Sequence, residues 1–409
     1  MKKLWFLLLL ILLTLQVSAQ QRDSFPSDPA AFLSAFEPFL LSLDLKELED
    51  RVEQFSGTYL NGGWNEAEQL LIIEVANAMN AQRMTVIPYF RSYLEALLAL
   101  KQIDTQQEHT LTWHQILLEL LNDPDYSKTE FKRLLDQYQG FFTHQRLRSS
   151  SGGTNWMAAS PDFVLLYEAG VPYIAYTDTD LLAFRKSDTM RISNTSGRYH
   201  LQAETWEGNQ GRVDWERAEN TPEIYVTFAA YQLDLKKSFL EIDSVRFYHS
   251  QYFGSRGIMG NFSDRITSGT TGNPSYPRFT SLEGDLQIDD FGPGIAYRGG
   301  FSIQGNTVYG TGVANNKAQI SIRKSEQDLV FKGQANRFSI REGEALQAQD
   351  VAAVIYHQND SVYHPSVDLR YSIDRGTLEL SRGNTGNDRV PFYSSAHELN
   401  IQSEYLTAD

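Results

Sequence analysis

The chain contains no cysteine. No disulfide, thiolate-held zinc or cysteine nucleophile can exist in it. No Gly-x-Ser-x-Gly elbow occurs, and Arg298-Gly299-Gly300-Phe301 lacks the lysine and following helix of a phosphate loop. Basic residues are also in deficit: 36 Lys and Arg stand against 51 Asp and Glu, a net charge of −15. Such a chain repels phosphate backbones and anionic head groups, so nucleic acid is disfavoured as a partner. Beyond the first 15 residues, no apolar run approaches the roughly 20 residues of a membrane helix.

What is present begins with a targeting segment. Lys2-Lys3 precede an apolar run from Leu4 to Leu15, and Val17-Ser18-Ala19 is a small-residue cleavage site. This reads as a secretory signal over 1–19, with the mature chain starting at Gln20. Loss of two lysines takes the net charge from −15 to −17. With no cysteine near the site, a lipoprotein anchor is excluded. The expected location is exported: periplasmic, outer-membrane-associated or extracellular. Without disulfides, stability must come from apolar burial, and an aromatic content of 12% suits large contact areas.

The fold class predicted is α+β and multidomain. Residues 28–142 read as a helical bundle or short helical repeat. Ser27-Asp28-Pro29 is a helix start, and Phe32, Phe36, Phe39 and Leu40 recur at helical spacing. Leu45, Leu48, Val52 and Phe55 form a second stripe that Gly57 can end. Ala67, Leu70, Leu71, Glu74, Val75, Ala78 and Met79 form a third. A fourth opens at Pro88 with Phe90, Tyr93, Leu94, Leu97 and Leu98, and Trp113, Ile116, Leu117, Leu120 and Leu121 make a fifth. Ser127-Lys128-Thr129-Glu130 is a capping box before a sixth. Helix pairs starting near 28, 66 and 112 give a spacing of about 40 residues, as in helical repeats. The stripes read as core, with a peptide-binding groove as the alternative.

Residues 143–154, rich in Ser and Gly, read as a linker. Residues 155–260 form a first β-rich region, 261–278 a loop, and 279–409 a second β-rich region. Within the latter, Phe301–Ile303, Gln319–Arg323, Asp328–Phe331, Arg337–Ile340, Val354–Tyr356, Val367–Tyr371 and Thr377–Leu380 read as strands. Gly305-Asn306, Ser325-Glu326-Gln327, Glu342-Gly343-Glu344 and Gln358-Asn359-Asp360 supply turns. The array reads as an elongated antiparallel domain, solenoid-like or an open jelly roll. The likeness of Asp243-Ser244-Val245 to Asp360-Ser361-Val362 fits either a repeated β unit or chance. Leu399, Ile401 and Tyr405 alternate within 397–405, predicting a last strand whose free edge continues into further strands or pairs with a partner, with an ordinary frayed C-terminus as the alternative.

Two constellations bear chemistry. Trp206 and Trp215 lie beside Glu204, Glu207 and Asp214. Paired carboxylates and sugar-stacking rings belong to carbohydrate-active proteins. The leading reading of the same residues is a hairpin with Glu207–Gly211 as its turn, the tryptophans as cross-strand packing and the carboxylates on its solvated face. His357, Asp360 and His364 surround one turn, where two imidazoles and a carboxylate could hold a metal, although surface strands carry such residues without one. No cofactor is implied.

The passage from Phe338 through Ile355-Tyr356, Val362-Tyr363 and Leu369-Arg370-Tyr371 resembles strands of the organic-solvent-tolerance (OstA-like) family. That resemblance implies an open β-jelly roll that carries lipopolysaccharide across the periplasm. It covers roughly 100 residues, rests on strand rhythm, and assigns no lipid-binding residue. The leading expectation is a non-enzymatic exported envelope protein serving as a binding or structural scaffold. The alternatives are a carbohydrate-binding or carbohydrate-active protein using Trp206–Trp215, and a periplasmic lipid carrier. The matching partners are an envelope protein, a glycan or a lipid.

Overall fold

A computed structural model describes residues 24–408 apart from 105–107, 219–222, 268–273, 314–315, 326, 342–344, 384–385 and 397. The signal segment and its cleavage site lie outside the described residues, as does the expected turn at Glu342–Glu344. The architecture is α+β, with helices first and a large antiparallel sheet of 22 strands after them. Among the described residues no helix is long and apolar enough to cross a membrane.

The helices are α1 (Pro29–Leu40), α2 (Lys46–Leu60), α3 (Glu66–Ala81), α4 (Arg91–Ile103), α5 (Glu108–Asn122) and α6 (Lys128–His144). Asp28 caps α1 by accepting from Ala31 N at 2.9 Å. Capping boxes open α3 (Asn65 with Glu68) and α6 (Ser127 with Glu130). Helices two places apart pack together, α1 on α3, α3 on α5, α2 on α4 and α4 on α6, and α1 also meets α2 and α4 meets α5. Ser92 Oγ on α4 donates to Asp136 Oδ1 on α6 at 2.8 Å. Phe36 meets Phe55 and Phe90 edge-on, each at 5.8 Å between ring centres. Farther along, Tyr93 stacks on Trp113 at 5.8 Å.

Two details differ from the sequence reading. Helix α2 runs through Gly57 to Leu60. Burial of Phe55 and Tyr59 outweighs the cost of about 1 kcal/mol for a glycine within a helix. The inner face of α3 is Ile72, Ile73, Val75, Ala76 and Met79, while Leu70 is exposed.

The strands begin with β1 (Arg146–Arg148), β2 (Asn155–Ala158) and β3 (Val164–Glu168). Five long strands follow: β4 (Val171–Arg185), β5 (Asp188–His200), β6 (Thr205–Asp214), β7 (Ile224–Asp234) and β8 (Phe239–His249). A short helix α7 (Ser250–Phe253) leads to β9 (Ile258–Arg265), β10 (Arg278–Ser281), β11 (Leu286–Gly292) and β12 (Ile295–Gln304). Then come β13 (Thr307–Thr311), β14 (Ala318–Ser325), β15 (Asp328–Ala335), β16 (Arg337–Arg341), β17 (Leu346–His357) and β18 (Asp360–Ser372). The last are β19 (Thr377–Ser381), β20 (Phe392–Ser394), β21 (Leu399–Ile401) and β22 (Tyr405–Ala408).

The described residues divide into two compact units. One holds residues up to Ser149 with Ser160–Tyr176 and Arg198–Thr205; the other holds Ser150–Ala159, Thr177–Gly197 and the chain from Trp206. The stretch read as a linker contains the end of α6 and strand β1. Strand β9 occupies part of the expected loop 261–278; its Gly260, Asn261 and Ser263 hid the pattern, yet Ile258 and Phe262 are buried.

A recurrent device shapes the long strands. Alternation is broken midway by two consecutive outward residues: Ser193-Asn194 in β5, Asn209-Gln210 in β6, Asp243-Ser244 in β8, Gln349-Asp350 in β17. In each pair the second residue takes a left-handed backbone, with φ of 54, 63, 60 and 53°. The ladder shifts register at the β8 and β17 pairs. The β8 and β17 sites are β-bulges, which bend a strand while keeping its apolar side inward, and β5 and β6 share their left-handed residue and burial pattern. Glu207–Gly211, read as a hairpin turn, is therefore the middle of one bent strand. Asp243-Ser244 is a bulge inside β8, whereas Asp360-Ser361 opens β18 after a turn, so the two similar segments play different parts.

Among the described pairings from β7 onward, each strand pairs with partners at most three places away in the chain. Long β12 pairs on one edge with β10 and β11, and on the other with β13 and β14. Likewise β18 pairs with β17 along one edge and with β19 and β20 along the other. Aromatic rings fill the interior: Phe247 stacks on Phe279 at 4.3 Å and Phe291 on Tyr297 at 4.7 Å.

Candidate functional site

The residues singled out by sequence are not brought together on a surface. Trp206 and Trp215 have 0% exposure. Trp206 Nε1 donates to the Tyr231 hydroxyl at 3.1 Å, which shares a 2.7 Å hydrogen bond with Thr195 Oγ1. The Trp215 ring sits edge-on to Phe247 (5.4 Å) and Phe262 (5.8 Å). Neither indole offers a face to a sugar. Glu204 belongs to the helical unit, where Arg148 Nε lies 2.8 Å from its Oε2. Asp214 is in the other unit; its Oδ1 accepts from Glu216 N at 3.2 Å, and it lines a hollow of about 430 Å³ with Arg191, Arg212 and Glu216.

The histidines of the candidate metal turn also separate. His357 and Asp360 face each other across the exposed β17–β18 hairpin. His364 is buried, with Nε2 2.7 Å from the Val390 carbonyl and Nδ1 accepting from Ser366 N at 3.1 Å. Nδ1 is thus the acceptor and Nε2 carries the proton, an arrangement that spends both nitrogens on the fold.

The last candidate, the strand expected over 397–405, is two short strands. β21 pairs with β20 and β22 with β19, and His397 lies outside the described residues. Leu399 and Tyr405 are 56% and 67% exposed, so their alternation marks an open flank instead of a buried face.

A larger concavity lies elsewhere, on the outward face of β13, β16, β17, β18, β19 and β22. It is an open groove of about 940 Å³. Strand register builds it. One row across the six strands is Tyr309, Ser339, Gln347, Arg370, Glu379 and Thr407. Beside it run Arg337, then Asp368, Ser381 and Tyr405 in register. Because side chains alternate, the intervening Phe338, Ala348, Leu369 and Leu380 point into the core and are buried.

The β17 bulge adds to this face. Ala348 pairs with Leu369 and Val351 with Val367, so Gln349 and Asp350 together stand opposite Asp368. An unbulged strand would turn one of them inward. Ser366 Oγ donates to Asp350 Oδ1 at 3.3 Å. The Arg337 guanidinium lies 3.8 Å over the Tyr309 ring. The groove thus mixes two arginines, three carboxylates, amides, hydroxyls and tyrosines. A smaller hollow of about 260 Å³ repeats the pattern, with Gln287, Arg298, Gln319 and Gln334 in register across β11, β12, β14 and β15.

Sequence reading placed Arg337, Ser339, Asp368, Arg370, Glu379 and Tyr405 on strands, left Tyr309, Gln347, Asp350 and Thr407 unplaced, and assigned none of them a role. Each alternates like any solvated strand face, and only cross-strand register assembles the rows. No family model, no curated protein and no solved structure matches the chain.

Proposed function

We propose that the protein is a non-enzymatic, exported envelope or surface protein whose β unit is a solenoid-like binding scaffold. The observation that carries this reading is the groove across six strands. Its polar groups are spread in two rows along a sheet face, which suits an extended ligand, and do not converge on one reacting point. The signal-like start, Lys2 to Ala19, supports export. Near-neighbour strand pairing from β7 to β22 supports the solenoid-like description. A lipid-carrying jelly roll needs an open apolar channel, and inside the sheet Phe247 stacks on Phe279 with Phe301 tilted against it, so the lipid reading is the weaker one.

Fractionation of the native cells tests the proposal, with N-terminal sequencing of the product. The expected result is envelope or extracellular material beginning at Gln20. Cytoplasmic protein that retains Met1 overturns export. Turnover of a glycan that disappears in Asp368→Asn or Glu379→Gln overturns the non-enzymatic part.

A further inference from the structure

We infer that the groove on β13–β22 is a binding site for an extended, uncharged glycan chain. This rests on the scaffold reading above and adds the ligand's chemistry.

Charge comes first. Arg337 and Arg370 are set among Asp350, Asp368 and Glu379, and Glu379 stands directly opposite Arg370. A polyanion would meet three carboxylates on a chain of net charge −15. A polycation would meet both guanidinium groups. An uncharged ligand meets neither penalty.

Hydrogen-bonding capacity comes next. Gln347 and Gln349 each offer a donor and an acceptor, Ser339, Ser381 and Thr407 offer hydroxyls, and the charged groups add forked donors and paired acceptors. Sugar hydroxyls are donors and acceptors at once, so both kinds of partner are needed along the same track. An apolar peptide gains less, since Phe338, Ala348, Leu369 and Leu380 are turned inward and leave the half-buried Leu406 and two tyrosines among polar groups. A peptide pairing with the backbone would seek a strand edge, not this face.

Shape and aromatic placement complete the case. Tyr405, on the last strand of the row, is 67% exposed and presents an amphipathic ring on which the C–H face of a pyranose can rest. Five steps between six strands, at about 4.8 Å each, give a track of roughly 24 Å. That length fits several sugar units and exceeds one. An open groove accepts the interior of a chain as readily as its end.

The experiment uses the chain from Gln20 to Asp409 on an array of uncharged linear oligosaccharides. Uronate-containing and sulfated oligosaccharides and a basic peptide are the other arms. Retention of uncharged chains of five or more units is expected, at least tenfold above the charged arms. Arg370→Ala and Tyr405→Ala should each weaken it tenfold or more with an unchanged melting temperature. Glu379→Gln, which keeps shape and polarity, should retain more binding than Glu379→Ala. No retention of uncharged oligosaccharides at millimolar concentration, stronger binding of a charged arm, or equal binding by the Arg370 and Tyr405 variants overturns the inference. Such a failure leaves the scaffold reading standing, because that one is judged by cell fractionation and absence of turnover.

Discussion

Arg217 Nη1 lies 2.6 Å from Oδ2 of Asp264, a carboxylate with no exposure, while Arg217 Nη2 reaches both oxygens of Asp188 at 2.9 and 3.0 Å. The guanidinium sits just after Trp215 and ties β5 to β9 within the β unit. Burial pushes the Asp264 carboxyl up to about 6, a shift that the neighbouring Arg217 opposes.

This ion cluster gives the first prediction. The native state holds a proton on Asp264 at pH values where the unfolded chain has released it. The associated stability is complete below 3.8 and is lost as pH rises through 6. Asp264→Asn removes the titration. From pH 4 to 7 the wild type should lose on the order of 1–3 kcal/mol relative to this variant. Denaturant melts at several pH values measure the difference, and parallel profiles would refute it.

His114 predicts the opposite slope in the helical unit. Its Nδ1 lies 2.7 Å from the Thr110 carbonyl and its Nε2 2.8 Å from the Tyr93 hydroxyl. Burial pushes the ring down to about 4, partly offset by the Thr110 hydrogen bond. The neutral native ring therefore gives stability that is present above 6.5 and lost as pH falls toward 4. Between pH 6.5 and 5 the loss should be about 2 kcal/mol. Melts followed by helical circular dichroism should move down on acidification, and ring resonances of His114 should stay in the neutral form at pH 5. A protonated ring at pH 5 would sink the prediction.

Gly208 is the sharpest steric test of the Trp206 assignment. A Cβ there would collide with the Tyr231 ring and with Trp206 Nε1. Gly208→Ala should cost about 1–3 kcal/mol through overpacking, and Trp206→Ala about 3–5 kcal/mol through the cavity it leaves. Chemical denaturation measures both. Glycan retention by the remaining folded protein should match wild type, because neither residue lines the groove. Loss of retention at full stability would restore Trp206 as a binding residue.

The flank of the sheet gives a fourth prediction. Among the described residues β22 pairs only with β19 and β21 only with β20, and Leu399 is exposed beside them. Edges without a charge or proline invite pairing. The chain 20–409 should associate as concentration rises, and Leu399→Lys should weaken that association severalfold by light scattering. A monomer at all concentrations in both proteins would count against it.

Much of the fold was legible because local rules and packing agree. Ser127 and Glu130 announce α6, and Trp113 to Leu121 announce the inner face of α5. The α3 face was misread because Leu70-Leu71-Ile72-Ile73 is apolar throughout and fixes no phase. The bulges were illegible for another reason. Asn194, Gln210, Ser244 and Asp350 are turn-type residues, and a left-handed residue inside a strand looks locally like the end of one. Trp206 and Trp215 drew attention as chemistry because exposure cannot be read from residue type. The groove was silent because Tyr309 and Tyr405 are neighbours of its floor only through the register of four intervening strands.

Near-neighbour pairing bears on how the β unit can change in length. On the proposed solenoid-like reading, adding or deleting a hairpin would disturb chiefly the strands beside it, since stability in such a stack is set between adjacent members. Each hairpin inserted between β13 and β22 would lengthen the outward track by about 10 Å without altering the residues that pack beneath it. On the proposed glycan-binding reading, the length of polymer held would then be a matter of gene length, adjustable by duplication.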